Sequence, residues 1–184
     1  MENKEVIQIF DTIAPTYDRI NRILSGGINF YWRRKVATLL PKQEKIKLLD
    51  CATGTGDQLI SLFKNSPQLH QAVGIDLAQE MLKIGREKLR AYAHQITLRA
   101  ASATAIPYLD ETFDCATMSF GIRNVDDVPT CLREIHRVLR PGGRALILEF
   151  SLPTNRWILK SYLFYLNELL PRVGKFISGH PDAY

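Results

Sequence analysis

Apolar residues recur at helical spacing over residues 4 to 13, where Val6, Ile9, Phe10 and Ile13 share a face. They do so again from Ile28 to Leu40, through Trp32, Val36, Leu39 and Leu40. Pro15 is expected to break or redirect the first helix, Leu24-Ser25-Gly26-Gly27 to turn the chain, and Pro41 to end the second helix. Beyond that point short aliphatic runs alternate with amphipathic stretches. Strands are predicted at Lys47 to Cys51, Ala72 to Asp76, Ile96 to Ala100, Phe113 to Phe120 and Arg144 to Phe150. Between them a helix runs from Asp57 to about Asn65, and a second carries Glu80, Met81, Leu82, Gly85 and Leu89. A third, capped by Asp126 or Asp127, aligns Val128, Cys131, Leu132, Ile135, Val138 and Leu139. Arg133, Glu134 and Arg137 form its wet face, Pro141-Gly142-Gly143 stops it, and the aliphatic last strand should be buried on both faces. Arg33 and Arg34 read as the solvated face of the second helix. This alternation predicts an α/β fold with a parallel sheet and an N-terminal helical extension.

After Pro153 the run from Trp157 to Leu170 is helical and apolar on more than one face. It reads as a buried structural helix, a lid over an apolar substrate, or a membrane-surface contact. With 184 residues and 46% hydrophobic content the chain suits one domain. It divides into a helical cap (1–45), a βα core (46–151) and a helical segment (152–184). The net charge of +5 is modest, and no basic block exceeds Arg33-Arg34-Lys35, so a nucleic-acid partner is not indicated. A mild attraction to anionic membrane surfaces is compatible with it; a homodimer is a further expected partner. Cys51, Cys115 and Cys131 form no C-x-x-C pair, and the four histidines are isolated, which predicts a reducing cytoplasmic setting and no metal site. The N-terminus has no signal-peptide pattern, and no stretch reaches the roughly 18 apolar residues of a membrane span.

The chemistry concentrates where strand one runs into Asp50-Cys51-Ala52-Thr53-Gly54-Thr55-Gly56-Asp57. Gly54 and Gly56 allow positive φ and let a ligand approach closely. A dinucleotide would need a third glycine where Leu59 stands, and Asp57 is a poor neighbour for a pyrophosphate. Asp50 and Asp57 suit a cation, and S-adenosylmethionine carries both a sulfonium and an ammonium. Asp76 ends strand two about 20 residues past the turn, the spacing at which a carboxylate meets a ribose; an N-cap role fits as well. Ala101-Ser102-Ala103 leaves room for a flat ring, with Ser102 able to bond its edge. Ser119-Phe120-Gly121-Ile122-Arg123-Asn124 follows strand four, where a doubly wound sheet reverses order and opens its crevice.

Taken together, these stretches resemble the class I S-adenosylmethionine-dependent methyltransferases, and more closely the ubiquinone/menaquinone biosynthesis C-methyltransferases. The resemblance rests on Phe10-Asp11-Thr12-Ile13-Ala14, Tyr17-Asp18-Arg19-Ile20-Asn21, Leu24-Ser25-Gly26-Gly27, Trp32-Arg33-Arg34 and Gly54-Thr55-Gly56-Asp57. It continues through Ser119 to Val125 and from Arg137 to Ser151. It implies a Rossmann-like sheet, S-adenosyl-L-methionine as cofactor, and methylation of a ring carbon of a polyprenylated quinol, demethylmenaquinol foremost, at or near the inner face of the membrane. By position it also implies cofactor contacts at Thr55, Asp76, Ser102, Ala103 and Ser119. Thr53 stands where the family has another glycine, which should stiffen the turn, and Ser102 replaces the commoner Asn or Asp. The class adds two antiparallel strands after strand five, so a chain stopping at Tyr184 is expected to be a fragment lacking them.

For catalysis, Arg123 is expected to stabilise a phenolate-like oxygen and Asn124 to orient it, with Tyr17 and Asp18 folded over the crevice for ring contact and proton acceptance. Arg123 could instead pair with Asp126 or Asp127, and Tyr17 could serve packing. Methylation of oxygen or nitrogen on a soluble metabolite, or a binding module without transfer, are the alternatives.

Overall fold

The computed structural model describes residues 4–151, together with 155 and 160. The apolar run from Trp157 to Leu170 therefore lies outside the described residues, apart from Lys160. Helices α1 (Lys4–Leu24) and α2 (Ile28–Ala37) precede β1 (Ile46–Cys51), α3 (Asp57–Asn65), β2 (Leu69–Asp76), α4 (Gln79–Lys88) and β3 (Ile96–Ala100). Then come β4 (Phe113–Ser119), a 3-10 turn at Ile122–Asn124, α5 (Val128–Val138) and β5 (Leu139–Leu148). All pairings are parallel, in the order β3-β2-β1-β4-β5. The order reverses between β1 and β4, so the connections leaving them run to helices on opposite faces of the sheet and leave a crevice at the carboxyl ends.

Strand side chains alternate across the sheet and feed two apolar layers. Leu48 packs with Val36, Leu59 and Leu62 on the α2/α3 side, while Leu49 and Cys51 pack with Met118, Ile135 and Val138 on the α5 side. A third cluster joins Ile13 and Ala14 of α1 to Ala78, just before α4, and Met81 within it, laying the N-terminal helix across the carboxyl end of β2. Asp11 reinforces it by accepting from the Glu80 amide at 2.9 Å.

Four expectations are corrected. Pro15 does not break α1, which runs unbroken from Lys4 to Leu24. Pro15 is exposed, and burial of Ile13, Ala14 and Ile20 around it outweighs the one hydrogen bond that a proline removes. The second helix ends at Ala37, capped by Thr38, several residues before Pro41. Pro141-Gly142-Gly143 does not stop α5: strand pairing begins at Leu139, and the register slips between Phe113↔Leu139 and Cys115↔Arg144. Gly142, at φ 79°, takes up the irregularity inside the strand. Finally, β5 is not buried on both faces. It is an edge of the described sheet, with Ala145 and Ile147 exposed and Leu146 and Leu148 half-buried.

The wet face of α5 also does more than meet water. Arg137 donates to the Ile106 and Tyr108 carbonyls, and Glu134 accepts from the Ile106 amide at 2.8 Å. This pair fixes the chain after β3.

Candidate active site

The turn after β1 is shaped from below. Asp50 and Thr117 lie opposite each other on β1 and β4, and the Thr117 hydroxyl donates to Asp50 Oδ1 at 2.6 Å. Thr53 donates to Asp50 Oδ2 at 2.7 Å, closing the turn over the carboxyl group. Burial is the largest influence on Asp50 and pushes it up to about 6, against the two threonine bonds and the nearby Arg33 cation. The Thr53 side chain also fills the space above Gly74, where an added Cβ would lie 2.9 Å from it.

The two turn glycines serve different ends. At Gly54 (φ +55°) an added Cβ would meet no atom within 4 Å, so the backbone there faces open space. At Gly56 (φ +80°) it would meet Leu89 Cδ1 at 2.6 Å, which makes this glycine a packing requirement at the start of α3. Asp76, at the end of β2, accepts from the Gly54 amide at 2.7 Å through Oδ2 and from the Ala78 amide at 2.9 Å through Oδ1. Burial raises its pKa, opposed by these backbone bonds. The N-cap itself is Ala78, so Asp76 joins the glycine turn to the approach to α4.

A cavity opens above these groups, with about 800 Å³ of empty space that is partly open to solvent. Gly54, Asp76, Ala103, Ser119, Asn124 and Tyr17 line it, under an apolar roof of Val6, Ile7 and Phe10 from α1. A smaller recess shares Tyr17, Ala52, Gly54 and Ser119 with it and is lined further by Arg33, Asp50, Thr55, Asp57 and Gln58. Ala52 (φ 51°) and Phe120 (φ 61°) stand at the carboxyl ends of β1 and β4 in the left-handed region that side chains disfavour. That strain sits at the mouth of the crevice, where ligand-binding folds store it.

Other predicted residues line neither space. Ser102 shares a hydrogen with the Thr104 hydroxyl at 2.7 Å and accepts from the Thr104 amide. Asp18 accepts from Thr55 Oγ1 and Lys88 Nζ, each at 2.6 Å, and Lys88 donates also to Asp57. This cluster ties α1 to the glycine turn and to the end of α4. Arg123 pairs with Glu149 at 2.6 Å on a surface where its own side chain is 46% exposed; neither Asp126 nor Asp127 is its partner. Asp127 instead caps α5.

Sequence reasoning missed Arg33, Gln58 and Lys88. Arg33 was expected on a solvated face, but it is buried and its guanidinium lies 5.4 Å over the Phe120 ring; only Arg34 is exposed. Gln58, 1% exposed, accepts from the Ser119 hydroxyl at 3.0 Å and donates to the Arg33 carbonyl. The one available signal was the place of Gln58 in the first turn of α3, directly after the glycines.

A carboxylate at the tip of β2, an open glycine backbone, small residues after β3 and acids around the turn fit an adenosyl ligand with a cationic tail. They give no cradle for a pyrophosphate. Solved structures share this architecture. A SAM-dependent methyltransferase from Aquifex aeolicus matches with TM-score 0.62 at 22% identity, over 76% of this chain and 75% of that one. The [4+2]-cyclase SpnF matches with TM-score 0.66 at 22% identity, over 82% and 63%. The fold is the Rossmann-like sheet of the class I methyltransferases that use S-adenosyl-L-methionine.

The sequence profile of the ubiE/COQ5 methyltransferase family matches residues 1–184, and the chain belongs to that family. Among its relatives is the ubiquinone/menaquinone biosynthesis C-methyltransferase UbiE of Geobacter sulfurreducens, 42% identical over 96% of this chain and 70% of the relative. Another is the demethylmenaquinone methyltransferase of Porphyromonas gingivalis, 36% identical over 100% of this chain and 76% of the relative.

Proposed function

We propose that the protein methylates a ring carbon of a polyprenylated quinol in menaquinone or ubiquinone biosynthesis, with demethylmenaquinol as the acceptor. The observation that carries this reading is the single cavity running from the Gly54/Asp76 side, suited to the donor, to the apolar space beside Phe120, Asn124 and Val125. The relatives' names support the choice of acceptor. When bound, S-adenosylmethionine supplies an electrophilic methyl group on a sulfonium.

Asp76 accepts hydrogen bonds from the ribose hydroxyls, and Gly54 keeps the turn open beside them. Ala103, on the cavity wall, would flank the adenine, with Ser102 behind it and bonded to Thr104, while Thr55, Asp50 and Ser119 would serve the methionine end. On the acceptor side, Tyr17 contacts the ring and Asn124 orients it. Arg123 exchanges Glu149 for the quinol oxygen and stabilises the negative charge left when that hydroxyl gives its proton to solvent, the charge that makes the neighbouring carbon nucleophilic. Asp18, adjacent to Tyr17 in the chain, receives the ring proton once substrate displaces the donors that now hold it. Such an acceptor is delivered from a membrane. Among the described residues no helix is long and apolar enough to cross one. The half-exposed Ile23, Ile28 and Phe30, with Tyr31, instead supply a peripheral contact at its inner face.

The test is transfer of labelled methyl to demethylmenaquinol and to water-soluble phenols and amines under equal conditions. The reading expects label on a ring carbon of the prenylated acceptor, at a rate well above any soluble one. Preferential labelling of oxygen or nitrogen on a soluble acceptor would overturn it.

A further inference from the structure

Arg33 carries the chemistry that the preceding assignments leave unused. Its residue is 8% exposed, and its Nε is buried with no hydrogen-bond partner. The guanidinium lies over the Phe120 ring and borders the smaller recess. Among the described residues no carboxylate forms an ion pair with it. The acids that share the recess are otherwise engaged, Asp57 with Lys88 and Asp50 with the hydroxyls of Thr53 and Thr117. A buried guanidinium with an unmet donor is costly, and an anionic ligand removes that cost.

The recess itself selects which anion. Asp50 and Asp57 line it together with Arg33, so a phosphate or dicarboxylate would meet repulsion. A zwitterion carrying one carboxylate and one ammonium satisfies both signs at once. The recess adjoins the main cavity, the two sharing Tyr17, Ala52, Gly54 and Ser119, so a ligand with its adenosyl half in the large space has the small one within reach of its amino-acid tail.

We infer that Arg33 binds the α-carboxylate of the methyl donor's methionine moiety and selects donors that carry it. The inference rests on the S-adenosylmethionine assignment and names the residue that recognises the far end of that ligand. Phe120 is its platform: the strained residue after β4 holds the cation over the recess, and Gln58 fixes the α2 backbone beneath it through the Arg33 carbonyl.

The experiment is calorimetric titration of the full chain, its Arg33→Met and its Arg33→Lys variants. Three ligands are used: S-adenosylmethionine, decarboxylated S-adenosylmethionine and 5′-methylthioadenosine. The native chain should prefer the carboxylated donor over the decarboxylated one by roughly 10- to 100-fold, the range of one charge-assisted contact. Arg33→Met should abolish that preference while leaving methylthioadenosine binding within roughly threefold, which also reports that the variant is folded. Arg33→Lys, which keeps the charge without the planar fork, should retain part of it.

Equal affinity of the native chain for the two donors overturns the inference, as does a preference that survives in Arg33→Met. Equal weakening of all three ligands by both substitutions also overturns it, because that is the mark of a packing role. A native chain that binds none of the three overturns the cofactor assignment itself and this inference with it.

Discussion

Asp50→Asn removes the charge of a carboxyl group that is 1% exposed and leaves its shape in place. Thr53 and Thr117 donate to its two oxygens, and because a hydroxyl can also accept, both bonds survive on an amide. Burial, the dominant cause, raises this group from 3.8 to about 6. Through that interval the native chain holds a proton that the unfolded chain has released, so stability falls as pH rises from about 4 to about 6 and stays low above. The interval corresponds to about 3 kcal/mol. The substitution is therefore expected to stabilise the protein by about 2–3 kcal/mol at pH 7.5 and to change little at pH 4, read from urea midpoints at both values. It should also weaken S-adenosylmethionine by roughly tenfold, since the donor's ammonium loses an anionic neighbour. Equal or lower stability than the native chain at pH 7.5 would refute the reasoning, because it would mean that Arg33 and the threonines compensate the charge in full.

Three further substitutions separate roles within the site. Gly54→Ala should cost about 1 kcal/mol of stability for its left-handed backbone, but far more in donor affinity, because its methyl would meet only open cavity; calorimetry and melting compare the two. Lys88→Met leaves Asp18 and Asp57 uncompensated at sites about a quarter exposed, so a loss of about 1–2 kcal/mol and faster amide exchange along α1 are expected by deuterium uptake. Arg123→Ala, at an exposed pair with Glu149, should cut kcat by at least roughly tenfold with the donor Kd within about twofold. Loss of both would assign Arg123 to structure.

The strands were readable because each is an aliphatic run bounded by a turn residue or an acid, and α3 was readable because glycines precede it and Pro67 follows. The spacing pointed to Asp76 as a partner of the glycine turn's ligand; the structure shows it beside that turn, accepting from the Gly54 amide. Other features depend on contacts between distant parts of the chain. Pro15 is a local helix breaker, but the side chains that hold α1 against α4 decide the outcome. Arg33 looks like a surface cation until Phe120 is seen to provide its ring. The double duty of Lys88, bonded to α1 and to the start of α3, arises only when the helices meet over the turn. The aliphatic content of β5 predicted burial, but as an edge of the described sheet it has a pairing partner on one side.

The proposed donor site lies between the open backbone at Gly54 and the carboxylate of Asp76. Titrating S-adenosylmethionine into the purified chain and its Asp76→Asn variant measures this directly. A saturable heat in the native chain, with affinity at least roughly tenfold lower in the variant, is predicted. No binding by the native chain, or equal affinity in the two, would contradict it.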